Sequence, residues 1–182
     1  RLARLIRDIS SGDIVAGNRT SYYREVAERA LRERGERPQE IRSREIKLAP
    51  LAHTHDAELR ITEYPTSVSS ERFLELVTPD DHLLGFCRLS LPNVAGTIPE
   101  LARSALIREL HVYGASLALG QAPGDNAQHQ GFGKRLLAEA ASQARQHGFA
   151  NLAVISAVGT REYYRARGFS DGPLYQHQRL QP

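Results

Sequence analysis

The stretch from residue 128 to residue 148, QHQGFGKRLLAEAASQARQHG, constrains this chain more than any other. Gln128, Gly131 and Gly133 give the spacing Q-x-x-G-x-G, and the residues after them run directly into a helical pattern. Phe132, Leu136, Leu137, Ala140, Ala141 and Ala144 recur at steps of three and four. One stripe of the helix is therefore apolar, while Lys134, Glu139, Gln143 and Arg145 face away, and Gly148 closes the pattern as a C-cap. Glycines at a helix start let the backbone approach a ligand closely, and the first amides of a helix have no acceptor inside it. Such an end is an anion cradle. Alone, the same spacing also fits a glycine-rich start to an ordinary packed helix.

The flanks add context. LIRELHVY at 106–113 alternates Leu106, Arg108, Leu110 and Val112 against Ile107, Glu109, His111 and Tyr113, a strand with one largely apolar face. NLAVIS at 151–156 is a short apolar run that reads as a buried strand. Strand, glycine-rich turn, helix and strand make a βαβ unit with the anion cradle at the carboxyl end of its first strand.

Earlier segments fill out an α/β domain. Residues 1–19 show no sustained period and read as a linker or docking segment, and a helix is expected from about Ser21 to Arg34, ended by Gly35 and Pro38. Residues 38–57 are charged and irregular, and His53 and His55, two apart there, read as a solvated pair rather than a metal site. ELRITEY at 58–64 alternates as a strand, and the strands 72–77 and 82–91 flank the turn sequence Thr78-Pro79-Asp80-Asp81 as a hairpin. Residues 92–105 read as a loop with one helical turn after Pro99. After the central unit come a short helix opened by Gly159 and Thr160 and ended by Gly168, and a last strand from Leu174 to Leu180. The division expected is a linker and helical docking segment over 1–57 followed by the α/β domain over 58–182.

Composition excludes several classes. No apolar run approaches the ~20 residues of a membrane helix and no signal peptide is evident, so a cytoplasmic location and no membrane partner are expected. One cysteine, Cys87, rules out an internal disulfide and a cysteine-ligated cluster, and its apolar strand context marks a buried structural thiol. Residues 1–47 carry twelve Lys and Arg against eight Asp and Glu, more than the chain's whole net charge of +3. That basic excess suits phosphate backbones or a solvated arginine-laced helix. With no methionine and Arg1 as first residue, the chain is expected to be excised from a longer one.

Four ordered blocks then narrow the family: RELHVYG at 108–114, QHQGFGKRLL at 128–137, AVGTREYYRARGF at 157–169 and DGPLY at 171–175. Together with EY at 63–64, ERFL at 71–74, LLGFCRLSLP at 83–92 and the leading LIRDI and DIVAGN, they resemble the C-terminal acetyltransferase-like half of the Elongator catalytic subunit. That half belongs to the GNAT superfamily, so the resemblance implies an acyl-CoA N-acyltransferase fold with a mixed twisted sheet flanked by helices. It also implies acetyl-CoA as the two-carbon donor and tRNA as partner. A radical S-adenosylmethionine domain of the same parent chain, with its S-adenosylmethionine and 4Fe-4S cluster, is expected only in the N-terminal half absent from this chain. The product implied is a carboxymethyl-type group at C5 of the wobble uridine. Where that family often has a cysteine-rich metal-binding stretch, this chain reads IRSREI at 41–46, so no metal site is expected.

Residue roles follow by carrying the resemblance over. Gln128 belongs to the motif, and the amides of Gln130, Gly131, Phe132, Gly133 and Lys134 are expected to take the coenzyme A pyrophosphate, with Lys134 or Arg135 adding charge. Backbone of Leu110, His111 and Val112 is expected along the pantetheine arm. Tyr163 and Tyr164 lie on the short helix from which similar enzymes direct a phenol at the thioester sulfur; one residue apart, they are expected to point to different sides, one to the ligand and one into packing, the alternative being that both are aromatic packing. Glu109 is the nearest carboxylate for a base, or a solvated strand residue. The alternative function is a stand-alone GNAT N-acetyltransferase acting on a lysine or small amine, and a third reading is a non-catalytic RNA-binding or scaffold module.

Overall fold

A computed structural model of the chain describes residues 10–17, 19, 22–46, 56–94, 96–113 and 131–180. The chain divides into two compact units, Arg1–Glu45 and Ile46–Pro182. In the first, a 3-10 turn at Ser11–Asp13 precedes α1 (Tyr23–Glu33) and α2 (Ile41–Arg44). Arg24 joins the two helices: its guanidinium reaches Glu28 (2.8 Å) on its own helix, Glu40 (2.5 Å) at the start of α2 and Ser43 (3.0 Å) within it. Glu40 also accepts from the Arg42 amide and so caps α2. The charged segment read as irregular therefore contains a helical turn held by side-chain caps.

The second unit is built on a seven-stranded sheet in the order β1-β2-β3-β4-β5-β7-β6. Its strands are β1 (Glu58–Pro65), β2 (Ser69–Val77), β3 (Leu83–Pro92), β4 (Ser104–Val112), β5 (Asn151–Val154), β6 (Ser170–Asp171) and β7 (Gln176–Arg179). Pairing is antiparallel everywhere except between β4 and β5, the parallel pair that the βαβ reading demands. α3 (Phe132–Gln146) crosses between those two strands and α4 (Arg161–Arg165) follows β5.

α3 buries the stripe its sequence announces: Phe132, Leu136, Leu137, Ala140, Ala141 and Ala144, with Gly133. They pack with Leu74, Leu76, Cys87, Leu89, Ile107 and Leu152 from the sheet. Leu136 is fully buried, and truncating such a leucine to alanine costs about 2–5 kcal/mol. The helix ends where Gly148 N–H bonds Arg145 O (2.9 Å) and Phe149 N–H bonds Ala144 O (3.1 Å), so two otherwise orphaned carbonyls are satisfied.

The uniform alternation expected for 106–113 does not hold. The β3 register passes from Arg88 opposite Glu109 to Leu89 opposite Ile107, leaving Arg108 as a β-bulge. Ala105 and Ile107 face the core before it, and Leu110 and Val112 pack against the core after it. One extra residue moves the apolar phase from odd to even positions, so Leu106 does not share a face with Leu110. Two strand ends also differ. β5 stops at Val154, leaving Ile155 66% exposed, and the last strand starts at Gln176 after the short β6.

Candidate coenzyme-binding wedge

The β4–β5 register runs only from Ser104 opposite Asn151 to Ile107 opposite Val154. β4 continues to Val112 while β5 ends at Val154, so among the described residues β4 from Arg108 onward is laddered on its β3 side alone and a wedge is left beyond the end of β5. Two features produce the wedge. The Arg108 bulge bends β4. On the other side, Ser156 Oγ donates to Gln176 Oε1 (2.7 Å), drawing the chain after β5 toward β7. Gln176 is buried and also donates to Asp171 Oδ1 (2.8 Å) and Arg161 O (3.3 Å), which ties β6 and the start of α4 to the same point.

The N-terminus of α3 adjoins this wedge. Gly131 is the N-cap with φ 77° and ψ 11°, a left-handed conformation that glycine adopts without steric cost. The first backbone bond of the helix is Arg135 N–H to Gly131 O (2.9 Å), and among the described residues no side chain caps the helix. The amides of Phe132, Gly133 and Lys134 thus have no acceptor within the helix, and the positive end of its dipole lies with them. Lys134 is exposed beside them, whereas Arg135 Nη1 donates to Ala57 O (2.8 Å). Gln128 and Gln130, like His53 and His55, lie outside the described residues.

Gly133 has a different task from Gly131. A Cβ built on it would overlap the Tyr163 hydroxyl and stand 3.6 Å from Val112 Cγ2. The phenol of Tyr163 therefore ends in a notch between the start of α3 and the end of β4. Tyr164 turns the other way: it is 7% exposed, meets Phe169 edge-on at 5.4 Å and belongs to the core. The two rings meet at 5.3 Å, nearly perpendicular. Burial pushes the Tyr163 phenol above its ordinary value, with Arg167 opposing, and pushes Tyr164 up to about 12. Both remain protonated at neutral pH. Burial also raises Cys87 to about 12, so this thiol is no nucleophile.

Of the β4 residues, Leu110 and Val112 pack toward α3, while His111 is exposed and stacks on Phe86 at 5.0 Å. Glu109 lies opposite Arg88 across the strands, 3.6 Å from its guanidinium. A cleft of about 430 Å³ runs along the outer side of α3, lined by Lys134, Leu137 and Ala141 and, opposite, by Arg167, Phe169 and Gln178. Arg167 escaped the sequence reading, although its place four residues after Tyr163 puts it on the same side of the helical turn. Gln176 escaped it too, and nothing in the sequence distinguishes it from a surface glutamine.

A family model described as the acetyltransferase (GNAT) family matches residues 39–169, most of the chain. The chain belongs to the GNAT family. Its mixed sheet flanked by helices is the GNAT fold, which implies acetyl-CoA as ligand. The orphaned amides of α3 beside the wedge fit an acyl-CoA pyrophosphate and arm.

Among curated relatives, this GNAT chain is 39% identical over 177 residues to a protein named tRNA uridine(34) acetyltransferase from Dehalococcoides mccartyi, covering 93% of this chain and 38% of that protein. It is 36% identical over 180 residues to Elongator complex protein 3 of Danio rerio, covering 95% and 33%. Among solved structures, the archaeal Methanocaldococcus infernus Elp3 with its N-terminus deleted matches 96% of this chain and 43% of that one, with TM-score 0.76 and 30% identity. The chain thus spans between 33% and 38% of the length of these two curated relatives. Among the described residues, no helix is long and apolar enough to cross a membrane and no group of three or more His, Cys, Asp or Glu is arranged to hold a metal.

Proposed function

We propose that this chain is the acetyl-CoA-binding half of a tRNA uridine(34) acetyltransferase. In this reading it acts with a radical S-adenosylmethionine domain, carried elsewhere on the parent protein, to build a carboxymethyl-type group at C5 of the wobble uridine. The observation that carries the proposal is the reach of the similarity. Relatives named for Elongator or for tRNA uridine modification align over 93–95% of the chain, and so take in most of the residues before 39, where the general family model begins. A generic amine acetyltransferase has no need of that leading segment.

Each part of the wedge has a task in this reading. The amides of Gly131 to Lys134 hold the pyrophosphate, with Lys134 supplying charge. The open edge of β4 from Leu110 to Val112 offers backbone groups to the pantetheine arm. Acetyl-CoA supplies the two carbons and a thioester whose sulfur can leave. Tyr163, neutral and held in the notch above Gly133, donates a hydrogen bond where negative charge grows on that sulfur, while Tyr164 supports it from the core. Arg29, Arg32 and Arg34 are exposed on and just after α1 and offer cations to tRNA phosphates.

Three measurements test this. Calorimetry should show acetyl-CoA binding that falls at least about tenfold in Gly131→Val, because valine resists the left-handed cap on which the amides depend. Mass spectrometry of tRNA treated with the full-length parent should show the modified uridine. The isolated chain should transfer no acetyl group to lysine peptides or polyamines. Robust transfer would instead make it a stand-alone N-acetyltransferase.

A further inference from the structure

Arg167 is held unusually firmly for a residue just past a five-residue helix. Its amide bonds Tyr164 O (2.9 Å), its carbonyl accepts from Gln178 Nε2 (3.1 Å), and its Nη1 donates to the carbonyl of Tyr163 (2.7 Å). That last bond accompanies a guanidinium that lies over the Tyr163 ring, with Cζ 3.5 Å from the ring centroid. Tyr163 is thus bounded by Arg167 on one face, by Tyr164 in an edge contact at 5.3 Å, and by Gly133 and Val112 at its hydroxyl tip. A phenol closed in on these sides keeps one rotamer.

Arg167 Nε is buried with no hydrogen-bond partner among the described residues. A buried unpaired donor is a standing cost to stability that a leucine or methionine in the same place would avoid. Against that cost stand the Nη1 bond to the Tyr163 carbonyl and the contact with the Tyr163 ring.

We propose that Arg167 is the positioning residue for Tyr163: its guanidinium, stacked on the ring and tied to the same residue's carbonyl, fixes the hydroxyl in the notch above Gly133 before any substrate arrives. Its consequence for turnover rests on the acetyl-CoA reading, but the positioning itself is a property of the ligand-free protein. Among the described residues, the charged and titratable groups around the phenol are Arg167, Tyr164 and, from β3, Cys87, of which Arg167 is the cation. A cation over the ring favours the phenolate, so its removal raises the phenol's titration midpoint. Arg167 also lines the cleft beside Lys134, and the competing account is that it serves only as a phosphate cation there.

The test is 19F NMR of the ligand-free protein with 3-fluorotyrosine placed at position 163. The parent should give one sharp resonance with a single alkaline titration. In Arg167→Leu the resonance should move and broaden, and its titration midpoint should rise. Arg167→Lys keeps the charge without the flat stack, so the resonance should move while the midpoint stays near that of the parent. Gly133→Ala, which displaces the hydroxyl from the other side, should move the same resonance with Arg167 intact. In the full-length parent, Arg167→Leu should lower kcat for tRNA-dependent thiol release about tenfold with KM nearly unchanged. An unmoved resonance and midpoint in Arg167→Leu overturn the proposal, and if acetyl-CoA affinity falls at the same time, Arg167 is a phosphate cation instead. Should Arg167→Leu not fold, Arg167→Lys decides, since an unmoved resonance there refutes the stack. If the resonances behave as expected but acetyl-CoA neither binds nor turns over, the functional reading fails and the positioning stands.

Discussion

Replacing Gly133 with alanine should destabilise the protein only as long as Tyr163 keeps its hydroxyl. The new methyl would overlap Oη, whereas the ring's Cζ lies 3.4 Å away, an ordinary contact. The phenol would have to retreat by about 1 Å from a densely packed site. Overpacking of this kind costs about 1–3 kcal/mol, and part of the ring's stack with Arg167, about 0.5–2 kcal/mol when partly desolvated, is lost with it. Alanine recovers up to about 0.5–1 kcal/mol over glycine in a helix, less near the first turn. The net expectation is a loss of about 1–2 kcal/mol, or roughly 3–6 °C in melting temperature for a chain of this length. In a Tyr163→Phe background the ring and its stack remain while the clashing oxygen is gone, so the same substitution should cost nothing or gain about 0.5 kcal/mol. Urea denaturation of the four proteins closes the double-mutant cycle, with an expected coupling of about 1–2 kcal/mol. Equal losses in both backgrounds would show that Tyr163 does not occupy the notch, and the active-site geometry argued from it would fall.

Three further outcomes are expected. Burial raises the Tyr164 phenol from 10.0 to about 12, so the fold binds that proton more tightly than the unfolded chain. The associated stability is complete below pH 10 and is lost as pH rises toward about 12; Tyr164→Phe should remove about 1–2 kcal/mol of this alkaline loss, measured by urea titrations at pH 8 and 11. Glu100 behaves oppositely. Desolvation works to raise its carboxyl, but hydrogen bonds from His177 and from the amides of Tyr175 and Leu174 outweigh it and hold it below the ordinary 4.5. That stabilisation is present above pH 4.5 and fades as pH falls through the lowered value, and Glu100→Gln should flatten the acid limb of a stability profile. Reversing Arg29, Arg32 and Arg34 to glutamate should weaken tRNA binding by the full-length parent and reduce its salt dependence while leaving acetyl-CoA affinity unchanged, and equal binding at low and high salt would make the charge a solvated face.

What was legible in the sequence is what local pattern controls. The α3 stripe and its caps follow from apolar spacing and glycine placement, because a helix buries residues according to one fixed period. The β2–β3 turn was legible for a similar reason: Thr78 Oγ1 accepts from the His82 amide (3.0 Å) and donates to Asp80 Oδ1 (2.6 Å), chemistry already present in a Thr-Pro-Asp-Asp sequence. β4 was misread by one phase because a bulge depends on the partner strand. Nothing in LIRELHVY says that Arg108 has no opposite number on β3.

The site divides along the same line. The motif marks Gly131 for close approach of backbone to a ligand, and the structure adds a left-handed N-cap that the spacing does not announce. The use of Gly133 was not legible, because the reason for it lies far along the chain in Tyr163, and a motif alone would assign both glycines to the ligand. The choice between Tyr163 and Tyr164 could not be made from adjacency: it depends on which ring meets Phe169 and which reaches the notch, and both answers follow from how α4 leans on β6 and β7 through Asp171 and Gln176. Gln176 is the extreme case. Its amide bonds to Arg161 and Asp171 and its carbonyl receives Ser156, so one uncharged residue ties the chain after β5, the start of α4 and β6 to one point. A buried glutamine that ties three elements together has no local signature, yet the placement of α4, which carries Tyr163, rests on such bonds. The chemistry-bearing residues of this chain are therefore easier to find in its sequence than the residues that hold them in place.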